Sequence, residues 1–203
     1  MADITGRLEQ QINFVVEVDK LKRIVRQSFL TGEKGSERLE NDAEHSWHLA
    51  LMSFLLQEYA PDKGAGMDLL RVIKMVLIHD LVEIDAGDTY CYDEEAMGDK
   101  RSREEKAAER IFTLLPSDQA LEIRRLWDEF EENATPEARY AAALDRLQPI
   151  LLNYHTEGRS WKKHGITAEQ VLKRNIALRD GAPELWAYVQ DLVNKAKKKG
   201  YLT

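Results

Sequence analysis

The sequence predicts an all-α fold, a single compact helical domain of about seven or eight helices over residues 1–203. Three observations lead there. Long segments are rich in Ala, Leu, Glu, Lys and Arg, which enter helices at little cost. Runs with strand periodicity are nearly absent. The 11 glycines and 5 prolines are few and fall where helices have to stop. The chain is also long enough for a full hydrophobic core.

The elements follow in order. A first helix is expected over about residues 7–30, with Ile12, Val15, Leu21, Ile24 and Val25 near helical spacing. Gly32 and Gly35 then mark a loop. Asn41 or Asp42 caps a second helix carrying His45, Leu49, Met52, Leu56 and Tyr59, which Pro61 stops. A third helix, about 68–84, is apolar on most sides and belongs in the centre of the domain. Residues 85–99, rich in glycine and acids, read as an ordered loop. Two helices flank Pro116. Thr135-Pro136-Glu137 is a strong helix start, and the helix it opens contains Asp145. Thr167 starts another, ending near Gly181, and Pro183 opens the last. In that last helix Leu185, Trp186, Val189 and Leu192 suit core more readily than an interface.

Charge excludes some partners. With 36 acids against 29 bases the net charge is −7, which opposes sequence-independent binding to nucleic-acid backbones. The basic run Lys195 to Lys199 suits a helix C-terminus. A small phosphorylated ligand stays possible, since a metal or arginine reverses the sign locally. Cys91 is the only cysteine and has no partner for a disulfide, which points to a reducing, cytoplasmic setting. No apolar run approaches the length of a membrane span, and residues 1–10 lack a signal-peptide core.

Chemistry concentrates at four positions. His79-Asp80 lies inside the apolar third helix, where a carboxylate and an imidazole are costly without partners. Asp145 sits in the apolar helical stretch 141–147, and Pro149 four residues on deletes the bond to its carbonyl and opens the helix there. His45 supplies a further nitrogen. Two imidazoles and two carboxylates suit one divalent ion, with Mn, Co, Fe, Mg and Zn all open. Four protein ligands on an octahedral ion leave positions for a water and a phosphate oxygen.

These residues resemble a known family. The order Leu21-Lys22-Arg23…Arg26, Glu44-His45-Ser46, His79-Asp80-Leu81-Val82-Glu83, Gly87-Asp88 and Ala143-Leu144-Asp145-Arg146-Leu147 is similar to the HD-domain phosphohydrolases, in the branch containing the 5′-deoxynucleotidases. The resemblance covers about residues 15–160, with helices over 167–200 expected to pack on that core. It implies that His45, His79, Asp80 and Asp145 hold the metal, that Glu83 activates the attacking water, that Asp88 lies near the sugar or leaving group, and that Arg26 grips the phosphate. Helix spacing agrees for Glu83, four residues after His79. In the deoxynucleotidases a tryptophan follows the arginine. Here Gln27 does, leaving Trp47 and Trp161 as candidates to replace it. His48 reads as a packed or supporting residue, and His155, His164 and Cys91 receive no role.

The function expected is hydrolysis of a phosphate monoester, a (deoxy)nucleoside 5′-monophosphate first among them, by a homodimer like those common among relatives. A cyclic-nucleotide phosphodiesterase is the enzymatic alternative, and a non-catalytic metal- or nucleotide-binding regulator the other. Glu83 discriminates, because a purely structural metal needs no acid beside it.

Overall fold

The computed structural model describes residues 4–32, 38–92 and 98–203. Gly35, expected in a loop, and residues 93–97 of the expected acidic loop lie outside these. Helices dominate, joined by one two-stranded antiparallel sheet.

The first helix, α1 (Ile4–Val18), ends a dozen residues before its expected limit. A 3₁₀ turn over Asp19–Arg23 follows, Ile24 becomes extended, and Val25–Phe29 form strand β1. The apolar residues that suggested a continued helix include β-branched Ile24 and Val25, which serve a strand equally well. Strand β1 pairs with β2 (Leu39–Asn41), with Val25 opposite Asn41 and an irregularity before Phe29. This sheet carries Arg26 and Glu40 toward the interior.

Helix α2 (Asp42–Leu55) starts with a complete capping box, Asn41 accepting from the Glu44 amide and the Glu44 side chain from the Asn41 amide. Because Asn41 is the cap, Asp42 is free to turn inward, where it is fully buried. Helix α3 (Leu69–Ile78) is capped by Asp68 and buries Val72, Met75, Val76 and Ile78. Leu70 and Leu77 face outward, so α3 is not the central helix the sequence suggested. It tightens into a 3₁₀ turn over His79–Val82 and a final turn, α4 (Glu83–Ala86), which Gly87 ends at φ 75°.

Helices α5 (Lys100–Phe112) and α6 (Ser117–Glu132) flank Pro116 as expected. The central position belongs to α7 (Pro136–His155), which packs on α2, α3, α6 and the short turn α10 (Leu178–Gly181). Thr135 caps α7, and the helix passes through Pro149 without breaking. Tyr140, fully buried on α7, donates its hydroxyl to the Ser53 carbonyl at 3.1 Å. After α8 (Arg159–Lys163), the helix capped by Thr167 ends at Arg174 as α9 (Ala168–Arg174), and Asn175 separates it from α10. The last helix, α11 (Pro183–Lys198), buries Leu185, Trp186, Val189 and Leu192 in the core. Among the described residues no helix is long and apolar enough to cross a membrane.

Gly181 fixes the contact between α10 and α7. A Cβ there would lie 2.0 Å from the Arg139 carbonyl oxygen, so only glycine permits the approach. Gly181→Ala is therefore expected to destabilise the fold by about 1–3 kcal/mol, the usual cost of overpacking, in urea unfolding. An unchanged midpoint would show that α10 can shift away freely.

Candidate metal centre and its cleft

Three elements converge on one buried point: α2 brings His45, the 3₁₀ turn after α3 brings His79 and Asp80, and α7 brings Asp145. Ligand atoms of His45, His79 and Asp145 all lie within 4.8 Å of one another. His45 Nε2 is 3.0 Å from Asp145 Oδ1, and His79 Nε2 is 3.7 Å from the same oxygen. Asp80 sits at the edge of this group, its Oδ1 3.2 Å from His79 Nε2 and its Oδ2 held by Arg26 Nη1 at 2.8 Å.

The tautomers follow from a buried chain of hydrogen bonds. Glu40, almost fully buried, accepts from the Gln148 amide nitrogen at 2.5 Å. A carboxylate only accepts, so Gln148 must turn its NH₂ toward Glu40 and its Oε1 toward His45 Nδ1, 3.1 Å away. His45 Nδ1 must then carry the hydrogen, which leaves the Nε2 lone pair facing Asp145. His79 Nδ1 donates to the Val76 carbonyl at 3.0 Å and frees its own Nε2 in the same way. Both imidazoles thus present Nε2 to the point where Asp145 presents an oxygen. His48 Nδ1 lies 3.2 Å from the Gln148 amide and serves as a further acceptor, in keeping with its expected supporting place.

Electrostatics say what this point lacks. Burial and the nearby Arg26 depress the His45 pKa and keep it neutral. A neutral imidazole lone pair 3.0 Å from a carboxylate oxygen needs a cation between them. His79 is driven the other way: burial opposes its charge, but Asp80 and Asp145 raise its pKa to about 9, so without metal it is the proton that fills the gap. Burial would raise the Asp145 carboxyl, yet the two histidines facing it hold it well below the ordinary carboxylate range. His79 Nε2 nevertheless has no well-aligned hydrogen bond. A divalent cation fits this donor set: two imidazole nitrogens with fixed tautomers and carboxylates on hand.

A second cluster lies alongside. Oxygens of Asp42, Glu83 and Asp88 also fall within 4.8 Å of one another. Glu83 is therefore placed with acids on α2 and the loop after Gly87, and its nearest charge at the histidine centre is Asp80. Burial, then repulsion from Asp80, Asp42 and Asp88, pushes Glu83 well above the carboxylate range. Burial and Asp80 push Asp42 to about 7, and burial raises Asp88. Asp42 Oδ2 and Glu83 Oε2 are buried without a hydrogen-bond partner. Arg26 bridges the two clusters, its Nη1 3.0 Å from Asp42 Oδ1 as well as bound to Asp80.

One member of each cluster, Asp145 of the first and Asp88 of the second, lines a common cleft of about 150 Å³. Arg26, Asp88 and Asp145 line it, as do Gln27 and Trp161. Trp161 is the one of the two candidate tryptophans in the cleft. Trp47 is 65% exposed on the outer face of α2. Glu40 and Gln148 had no place in the sequence reading, and Asp42 only as a candidate helix cap. Spacing held a clue for two of them, since Gln148 follows Asp145 by three residues on one helix face and Asn41-x-x-Glu44 already filled the cap that Asp42 might have been.

Comparison with known proteins places the chain. A model of the HD domain family matches residues 18–186. The 5′-deoxynucleotidase HDDC2 of Homo sapiens is 29% identical over 140 residues, 69% of this chain and 65% of that protein. The chain thus spans slightly under two thirds of that relative's length. The Dictyostelium discoideum 5′-deoxynucleotidase is 30% identical over 152 residues, 74% of this chain and 79% of that protein. A crystal structure from Magnetospirillum magnetotacticum, described as a predicted metal-dependent phosphohydrolase, is 52% identical over the whole of both chains with a TM-score of 0.91.

Two outcomes are expected of metal binding. Gln148→Ala releases the His45 ring and should weaken Mn or Co binding about 10- to 100-fold in calorimetry, with the fold intact. An unchanged affinity would mean the Glu40–Gln148 chain does not orient the ligand. Because His79 holds a proton up to a pKa of about 9 and metal must displace it, binding strengthens as pH rises toward that value, by about tenfold per unit. A pH-independent affinity between 6 and 8 would contradict this.

Proposed function

We propose, from the premise that this chain belongs to the HD domain family, that it is a metal-dependent phosphohydrolase cleaving (deoxy)nucleoside 5′-monophosphates to nucleoside and phosphate. The observation that supports this most strongly is the histidine–aspartate centre beside a carboxylate cluster, with Asp145, Asp88 and Arg26 lining one cleft. The whole-length similarity to a described metal-dependent phosphohydrolase and the names of the curated relatives point the same way. His45, His79, Asp80 and Asp145 are the proposed metal ligands. When bound, a divalent ion supplies Lewis acidity toward the phosphoryl group and acidifies water, and Mn, Co, Fe, Mg and Zn all suit the donors.

The chain's own groups then divide the work. Arg26 offers a fixed planar fork to the phosphoryl oxygens and offsets charge developing on phosphorus. Its present partners, Asp42 and Asp80, hold it at the junction of the two clusters. As water bonds to phosphorus, Glu83 accepts one of its protons. A buried carboxyl whose proton affinity is raised by burial and neighbouring acids suits that transfer, since it holds the proton once taken. The ester P–O bond breaks on the opposite side. Asp88, raised by burial, is the proposed donor to the departing sugar oxygen.

Gln27, which follows Arg26 where the deoxynucleotidases have a tryptophan, and Trp161 both line the cleft. Deoxyribose preference is part of the proposal, with Trp161 as the sugar-facing wall. A homodimer is proposed as well. Two exposed apolar helix faces support it, Leu8, Ile12, Val15 and Val16 on α1, and Trp47, Phe54 and Leu55 on α2. The single exposed Cys91 fits a reducing, cytoplasmic setting.

A panel of nucleoside monophosphates, sugar phosphates and a cyclic dinucleotide, run with each candidate metal, tests the reaction class. Phosphate release from 5′-monophosphates is expected. Turnover of the cyclic substrate alone would favour the diesterase, and inertness throughout would contradict the enzyme. Glu83→Ala is expected to keep the metal and lower kcat by about 10²–10⁴. Full activity would remove Glu83 from the mechanism.

A further inference from the structure

The acid-rich end of the cleft has a basic counterpart. Arg146, next to Asp145 on α7, and Arg174, the last residue of α9, both line the same cleft. Arg146 Nη1 donates to the Arg174 carbonyl at 2.8 Å, which ties the two residues together. Elsewhere arginines find carboxylates readily, as Arg7 does with Asp118, Arg71 with Glu129, Arg110 with Asp85 and Arg124 with Asp128. Arg146 and Arg174 do not: among the described residues their bonded neighbours are a carbonyl oxygen and the Cys91 thiol. In a chain of net charge −7, two guanidinium groups line one cleft with no carboxylate bonded to either among the described residues.

Among the described residues, Tyr92, Asn175 and Trp161 line the same cleft. Asp145, beside Arg146, offsets part of its charge, but among the described residues no carboxylate is hydrogen-bonded to either guanidinium. Two like charges held together in a partly enclosed site repel each other unless an anion lies between them. The scissile phosphate is accounted for at Arg26.

We propose that Arg146 and Arg174 form a distal anion subsite, selecting phosphomonoesters whose leaving group carries a second negatively charged group. The inference rests on the phosphohydrolase reading and adds a substrate class to it. Arginine suits the task because its planar fork binds phosphate or carboxylate through paired hydrogen bonds. The aromatic and amide walls accommodate the neutral body of the substrate between its two anionic ends. Arg174 is the better residue to change, since its backbone carbonyl, and with it the Arg146 anchor, survives substitution.

The test uses the metal-loaded protein and non-hydrolysable 5′-phosphonate analogues of nucleotides. One pair differs by a 3′-phosphate on the sugar and another by the base carboxylate of an orotidine analogue. Calorimetry is expected to show at least one of these added anions tightening binding about tenfold or more, as paired charge-assisted bonds allow. Arg174→Gln should abolish that gain while leaving the simple monophosphate analogue within about threefold of the original, and Arg174→Lys should restore part of it. Equal affinities with and without either added anion, or an equal loss for all analogues in Arg174→Gln, would overturn the subsite. Phosphate release from simple 5′-monophosphates, measured in parallel, reports separately on the phosphohydrolase reading.

Discussion

A half-buried carboxylate facing two buried imidazole nitrogens cannot be left to itself, and much of this structure is arranged around that constraint. The arrangement begins away from the site, at Glu40. As a buried acceptor it orients the Gln148 amide, which fixes the hydrogen on His45 Nδ1 and aims the Nε2 lone pair at Asp145. Val76 does the same for His79 through its carbonyl. Without a metal a proton on His79 satisfies Asp145, and with one the same nitrogens become ligands. The energetic cost of leaving the point empty is what makes it selective for a cation.

The helical scaffold delivers these groups from distant parts of the sequence with little adaptable backbone. Helix α2 starts with a capping box that uses Asn41 and Glu44, so Asp42 can turn to Arg26. The tightening of α3 into a 3₁₀ turn at His79 separates the chemistry of neighbouring residues: His79 faces the metal centre, and Glu83 joins the carboxylates of Asp42 and Asp88. Short 3₁₀ stretches at the ends of helices are common where a functional side chain needs an orientation the α-helix would not give. Arg26 comes from the small sheet and connects the two clusters. Each element thus contributes one or two groups, and the cleft forms where α7 meets the loop after Gly87 and α9.

Much of this was legible in the sequence, for identifiable reasons. Helix starts with a capping hydroxyl or amide and an early acid, at Asn41 and Thr135, were placed well because capping is a local interaction. Polar residues inside apolar helices, His79, Asp80 and Asp145, stood out because burial makes them expensive. Strand β1 escaped notice because Ile24 and Val25 fit a helical face and a strand alike, and its partner β2 lies more than ten residues away. The break expected at Pro149 did not occur, since losing one hydrogen bond is tolerated in a long helix packed on several neighbours. Glu40 and Gln148 were invisible for a different reason. A buried glutamate–glutamine bond joins residues 108 positions apart, and neither residue type announces burial.

The most direct measurement is the anomalous scattering of a manganese-loaded crystal collected at the metal's absorption edge. The account expects a peak bonded to His45 Nε2, His79 Nε2 and an Asp145 oxygen, with Gln148 still hydrogen-bonded to His45 Nδ1. Manganese held only by Asp42, Glu83 and Asp88, or no peak while His79 stays within reach of Asp145, would contradict it.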